Sequence, residues 1–214
     1  MEEQIQIYWN NALTELGLHP EKSKQCFESV MSNYKGSNRH YHTLRHIGIM
    51  LGELSQFRLA SHDEAIVVLS IIFHDVIYNP ILKNSEEKSA VFATSILQEL
   101  ELSKSIVNEI SRLILLTKKH QCETNDKLGN ILLDLDLSIL SAPPLLYKWY
   151  ANSIRKEYFM YPDFMYNTGR KKVIQNFLIR ERIFKTKEFQ LAEKTARMNL
   201  QNEAYPNHIA IWEF

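Results

Sequence analysis

The sequence predicts an all-α protein: a helical bundle with additional helices after its core. Three observations carry this. Apolar residues recur at helical spacing through nearly all of the 214 residues. Only six glycines and six prolines are present, which favours long regular elements over tight turns. Strand-like segments do not alternate with helical ones, which argues against an α/β fold.

A first helix is expected over about 3–16, ending near Gly17. Pro20 sits where a helix can start, and a second helix runs to about Tyr34. Lys35-Gly36-Ser37-Asn38 reads as a loop, and the next helix is expected from near Tyr41 to about Phe57. Ser61-x-x-Glu64 reads as a capping box opening a helix to about Asp75. Its β-branched residues (Ile66, Val67, Val68, Ile71, Ile72) would also suit a buried strand, but the cap and the length favour helix. Asn79-Pro80 breaks it. Asn84-x-x-Glu87 is a second capping box, for a helix to about Leu100, and Ser103 or Ser105 caps another that ends near Lys119. Asp134 to Leu140 reads as a shorter apolar helix stopped by Pro143-Pro144. Long helices are expected over about 145–160, 168–184 and 186–204. We expect one domain over 1–214, its core at about 35–142 and a C-terminal helical extension at about 143–214 packed on it.

Bulk composition narrows the function. The chain is 45% hydrophobic and 23% charged, ordinary for a globular protein and enough for a real core. Lys plus Arg (25) equals Asp plus Glu (25), so no net charge argues for nucleic acid or an anionic membrane. Cys26 and Cys122 are the only cysteines, expected as reduced thiols rather than a disulfide framework. Met1-Glu2-Glu3-Gln4-Ile5 lacks the basic start and apolar stretch of a signal peptide. No apolar run approaches the ~20 residues that span a bilayer. A cytoplasmic protein is expected, with a homodimer left open. No Gly-rich phosphate loop appears, which argues against ATP-driven chemistry.

The chemistry concentrates at His74-Asp75, which ends the apolar run from Ala65 to Phe73. An imidazole and a carboxylate beside a core are costly to bury unless something pairs them, and a divalent cation would. Asp is also a poor helix C-terminal residue, because its charge opposes the dipole, and a cation would reverse that penalty. His62-Asp63 is the same dipeptide but reads as an exposed first helical turn. His42 and His46 are four apart and would share one helix face, either as a chelating pair or as one ligand and one substrate contact. Asp134 and Asp136 lie in an apolar segment where unpaired carboxylates are disfavoured. Two residues apart on a helix, they point to different faces. His120, with Lys118 and Lys119, reads as a cationic helix end, which favours the dipole. Glu86 and Glu87 suit a first helical turn, and one of them can serve as general base, with Lys88 within reach of a phosphate. The aromatic stretch Tyr147 to Tyr166 reads as core or as a base-stacking wall.

The order His46…His74-Asp75…Asp136 resembles the HD superfamily of metal-dependent phosphohydrolases. The wider set is more specific: Tyr41-His42, His74-Asp75-x-x-Tyr78-x-Pro80, Glu86-Glu87-Lys88-Ser89-Ala90, Thr117-Lys118-Lys119-His120, Asp134-x-Asp136, Ile154-Arg155-Lys156-Glu157-Tyr158 and Tyr161-Pro162-Asp163. Together they are similar to a bacterial branch of predicted metal-dependent HD phosphohydrolases, from about residue 5 to about residue 205. The resemblance implies His46, His74, Asp75 and Asp136 as ligands, Asp136 because the superfamily's last ligand is followed by a short helix. Asp134 would then orient a ligand from behind or cap a helix, His42 would stand near the metal, and His120 would be a second-metal ligand or phosphate contact, as additional histidines are in some HD enzymes. Arg155 and Arg170 resemble fixed positions of the branch, and a guanidinium suits phosphate bidentately.

Two nitrogen and two oxygen ligands suit Mn, Fe, Co, Ni or Zn, with Mg also considered, as one ion or two. The expected activity is hydrolysis of a phosphate ester, in a nucleotide or small metabolite, through a metal-activated water. The alternatives are a regulatory module that binds metal and nucleotide without turnover, and a di-iron oxidative enzyme. The last would need His42 and His120 as ligands too.

Overall fold

The computed structural model describes residues 1–205. These residues form ten α-helices and no strand. They are α1 (Glu2–Glu15), α2 (Lys24–Asn33), α3 (Leu44–Leu54), α4 (Ser61–Phe73), α5 (Ser85–Glu99), α6 (Lys104–Leu116), α7 (Lys127–Leu137), α8 (Pro144–Glu157), α9 (Asp163–Leu178) and α10 (Ala192–Ala204). Short 3₁₀ turns at Pro20–Ser23 and Ser138–Ser141 precede α2 and follow α7.

α4 is the axis. Every residue from Ala65 to Phe73 is buried, as expected of a helix that is apolar on all faces. α1, α3, α5, α6 and α7 pack around it, and α5 and α6 form a close hairpin. The strongest partner of α4 is α1, which presents Ile5, Trp9, Ala12 and Leu13 as one stripe. Trp9 anchors that contact: its ring lies 5.7 Å from those of Phe27 and Phe73, and its Nε1 donates to Ser23 Oγ at 2.9 Å. α10 packs on α9 and on the 138–141 turn. One apolar cluster runs through all of this, from Ile5 to Leu200. Among the described residues no single helix is long and apolar enough to cross a membrane; α7 and α8 pass that test only as a pair bent by 106°.

Helix class was legible, but several boundaries moved. Neither capping box forms. Ala60, not Ser61, is the N-cap of α4, and Asn84 caps α5 without a side-chain bond. Burial, not capping, fixes these two helices. Ser103 is the N-cap of α6, as expected, but its hydroxyl meets Ser105 Oγ instead of a backbone N–H. α7 begins at Lys127, seven residues before the expected start at Asp134, because Asp126 caps it by accepting from Gly129 N at 2.9 Å. A Cβ at Gly129 would stand 2.5 Å from Asp126 Oδ2, so the cap itself requires a glycine at this position.

Three carboxylates, Glu157 and Asp134 buried and Glu193 half-buried, account for the remaining differences, since each takes backbone N–H groups that a longer helix would have used. Glu157 takes those of His40, Tyr41 and His42, so α3 starts at Leu44 instead of near Tyr41. Asp134 takes those of Lys185 and Thr186, and Glu193 those of Ile183 and Phe184. Residues 179–191 are therefore irregular, and the helices expected at 168–184 and 186–204 become α9 and α10.

Candidate metal centre

Three helix ends deliver the centre. His46 lies in the first turn of α3, His74 caps the C-terminus of α4, and Asp136 stands near the end of α7. His46 and His74 are 2% and 1% exposed. Their Nε2 atoms lie 3.3 Å apart. Asp136 Oδ1 is 3.2 Å from His46 Nε2 and 3.6 Å from His74 Nε2. These three residues form a group that can hold a metal ion. The separations fit one: ligand atoms ~2.1 Å from a shared cation stand roughly 3.0–3.4 Å from one another. The His74 tautomer suits it too. Nδ1 donates to the Ile71 carbonyl at 2.8 Å, which leaves the Nε2 lone pair facing the group.

Asp75 adjoins this trio. Its Oδ2 lies 3.0 Å from His74 Nε2 and 3.9 Å from the Nε2 atoms of His46 and His42. His120 completes the ring, with Nε2 2.9 Å from Asp136 Oδ2. It sits at φ 47, a left-handed conformation that is costly for a residue with a Cβ. Arg180 supports that turn by donating to the carbonyls of His120 and Lys119.

The groups set one another's charge. Burial opposes ionisation of Asp136, but the hydrogen bonds from His120, His46 and His74 overcome it and hold the carboxyl well below its usual range. Asp75 is likewise lowered, burial being outweighed by His74 and His42. Burial dominates at His46 and lowers it, whereas at His74 the neighbouring Asp75 and Asp136 outweigh burial and raise it well above the usual value. Two ionised carboxylates and a neutral His46 are the protonation states that cation binding needs, and His74 would release a proton. Saturating the protein with whichever of manganese, cobalt, nickel or zinc it binds should therefore raise Tm by roughly 5–10 °C, reversibly with a chelator. A Tm that no cation moves would count against the centre.

His42 and Asp134 differ from expectation. His42 precedes α3, so it does not share a helical face with His46. Its place is set by Glu157, which is fully buried. Glu157 Oε1 accepts from the backbone N–H of His40, Tyr41 and His42 at 2.7, 2.7 and 3.0 Å. Its Oε2 accepts from His42 Nδ1 at 2.6 Å and from Tyr78 Oη at 3.0 Å, and Tyr78 stacks on His42 with 4.0 Å between ring centroids. Burial opposes the charge on Glu157, but His42 and these N–H groups hold its pKa down at about 2. Asp134 neither orients a ligand nor caps a helix. Its carboxylate accepts from Lys185 N, Thr186 N and Thr186 Oγ1.

The sequence marks Glu157 only as part of a motif and gives Arg39 no role. Arg39 donates to the carbonyls of His42, Asp75 and Val76, which ties the two histidine-bearing segments together. No local signal marks either role, because each depends on partners distant in the chain.

A cavity of about 520 Å³ opens from the centre, lined by His42, His74, Asp75, His120 and Asp136 on one side. Glu86 reaches its wall. Glu87 instead pairs with Lys118, and Lys88 is exposed outside the lining. Arg170 lines the cavity, whereas Arg155 holds the α8–α9 corner through Asp163 and the Tyr158 and Tyr161 carbonyls. The aromatic stretch divides: Tyr150, Tyr158, Tyr161 and Tyr166 line the cavity, Tyr147 is core, and Phe159 and Phe164 are exposed. The Tyr41 hydroxyl is buried with no hydrogen-bond partner among the described residues, and its ring lies 4.8 Å from that of His46.

No family model, curated protein or solved structure matches the chain. The all-helical fold with a His-His-Asp group within metal-binding distance is compatible with an HD-like site.

Proposed function

We propose that this protein is a metal-dependent phosphohydrolase of the HD type, acting on a phosphate ester of a nucleotide or small metabolite. The observation that carries this reading is the convergence of His46, His74 and Asp136, with Asp75 beside them, where His74, Asp75 and Asp136 line an open cavity and His46 lies buried behind them. His46, His74, Asp75 and Asp136 would hold the cation. When bound, a divalent cation supplies Lewis acidity and brings the pKa of a coordinated water toward neutrality.

The chain's own residues do the rest. Glu86, on the cavity wall, is the carboxylate able to accept a proton from the attacking water; Glu87 is engaged by Lys118. His120 fixes the second oxygen of Asp136. Tyr41 donates its unpartnered hydroxyl to a substrate oxygen; burial, with Tyr150 and the nearby carboxylates, holds it protonated well above the usual tyrosine range. Glu157 and Arg39 keep the His42 and Asp75 segments in register.

A second reading, a two-ion centre, is favoured by the placement of His42 beside Asp75 and His120 beside Asp136. Elemental analysis of protein purified without chelator or metal-affinity tag separates the two by a stoichiometry near one or near two. The activity test is turnover of a phosphate-ester panel with the bound cation, beside Asp75→Ala. The expected result is turnover in the wild type and a loss of at least ~1,000-fold in the variant, with its helical circular dichroism retained. Full turnover in Asp75→Ala would sink the assignment. Tight nucleotide binding with no product would instead support the regulatory module.

A further inference from the structure

The cavity has a half that the histidines and carboxylates do not occupy, and α9 builds it. Tyr166, Gly169, Arg170, Val173 and Phe177 stand on one face of that helix at i, i+3, i+4, i+7 and i+11, and all line the cavity. Within α9 only Ile174 is fully buried, and Val173 is 45% exposed. The helix packs mainly on α10, so its cavity face has little protein against it. Tyr158 extends this surface: its ring lies 6.0 Å from those of both Tyr161 and Tyr166. Flat rings at such spacing make a wall suited to another flat ring.

Charge points to the same occupant. Among the described residues lining the cavity, Arg170 is the only lysine or arginine, and Glu203 neutralises it through bonds of 2.7 and 3.0 Å. Asp75, Asp136 and Glu86 line the cavity as well. One oxyanion can be met at the metal centre. Any further phosphate would be desolvated without a counter-ion, which is costly. The volume of about 520 Å³ far exceeds a phosphoryl group and falls in the range that encloses a whole small molecule.

We infer that the site takes a phosphomonoester carrying a flat, largely apolar ring system, and that it rejects polyphosphate chains. The phosphoryl end lies at His46, His74 and Asp136, and the ring lies along α9 against Tyr158, Tyr161 and Tyr166. Placing the phosphoryl end there rests on the phosphohydrolase reading above.

The test is calorimetric titration of the manganese-saturated protein with 1-naphthylmethylphosphonate, ethylphosphonate and inorganic pyrophosphate. Hydrolysis of 1-naphthylmethyl phosphate and ethyl phosphate, both alkyl esters, is followed in parallel. Naphthylmethylphosphonate should bind about 30-fold or more tightly than ethylphosphonate, and pyrophosphate more weakly than naphthylmethylphosphonate. Val173→Asp, at a half-exposed position that the fold tolerates, should cut the naphthyl-to-ethyl ratio to about threefold or less. Equal binding of the two phosphonates, tighter binding of pyrophosphate, or a ratio untouched by Val173→Asp overturns the inference. Selective phosphonate binding with no ester hydrolysis upholds the ligand class and overturns the phosphohydrolase reading.

Discussion

Asp136→Ala should strip the protein of its cation and its activity while the helical fold persists, and Asp134→Ala, two residues away, should do the reverse. Asp136 meets His46, His74 and His120 at the candidate centre. Groups that merely orient ligands are worth ~10–100-fold in metal affinity, so losing this carboxylate should cost more than ~100-fold. The fold tolerates the change because His74, whose raised pKa depends on Asp75 and Asp136, can give up its proton. Asp134 is almost fully buried, and it alone satisfies Lys185 N, Thr186 N and Thr186 Oγ1. Removing it leaves those donors unpaired, at a cost on the order of 3 kcal/mol, or roughly 6–12 °C in Tm. Metal content by elemental analysis and urea unfolding, run on both variants, read the two effects separately. Metal retained by Asp136→Ala would remove that residue from the centre.

Glu157→Gln should weaken the fold by on the order of 3 kcal/mol at neutral pH, and the difference from wild type should close as the solution is acidified. Gln keeps the oxygen that accepts from His40, Tyr41 and His42. It puts an NH₂ group where Glu157 accepts from His42 Nδ1 and Tyr78 Oη, so both donors lose their acceptor. The sign follows from the pKa, about 2 in the folded chain against the ordinary 4.5. A carboxylate lowered by folding stabilises fully above the unfolded value and loses that contribution as pH falls through the folded one. The window is therefore from about 4.5 down to about 2. Asp75 and Asp136 are also lowered, but they are common to both proteins and cancel in the difference. Urea unfolding of chelator-treated protein at pH 6 and pH 3 measures it. A gap that stays constant between those two values would show that Glu157 is not held as an ion by its neighbours.

Much of the molecule was legible because the signals were local. The all-α class follows from apolar spacing, which is a property of neighbouring residues. The cost of a His-Asp pair at the end of an apolar run marked His74 and Asp75 without reference to distant segments. Asp136 was separated from Asp134 by the resemblance, and the structure sets them on opposite duties: one faces the histidines, the other the irregular segment before α10. The roles of Glu157 and Arg39 were not legible, because each depends on partners far away in the chain; Glu157 meets its backbone donors across 115–117 residues.

By itself, then, the sequence determined the helical class, the apolar axis along α4 and the residues rich enough in ligand chemistry to form a centre. Tertiary structure alone decided where α3 and α10 begin, which carboxylate faces the histidines, and that α9 lines a cavity. The physical reason is competition for backbone N–H groups. A helix offers each one a carbonyl four residues away, and that offer can be read from local sequence. A carboxylate arriving from another helix, buried or half-buried, offers a charged acceptor that must itself be satisfied. Glu157, Asp134 and Glu193 win that competition at residues 40–42 and 183–186, and no short-range pattern in the chain records it.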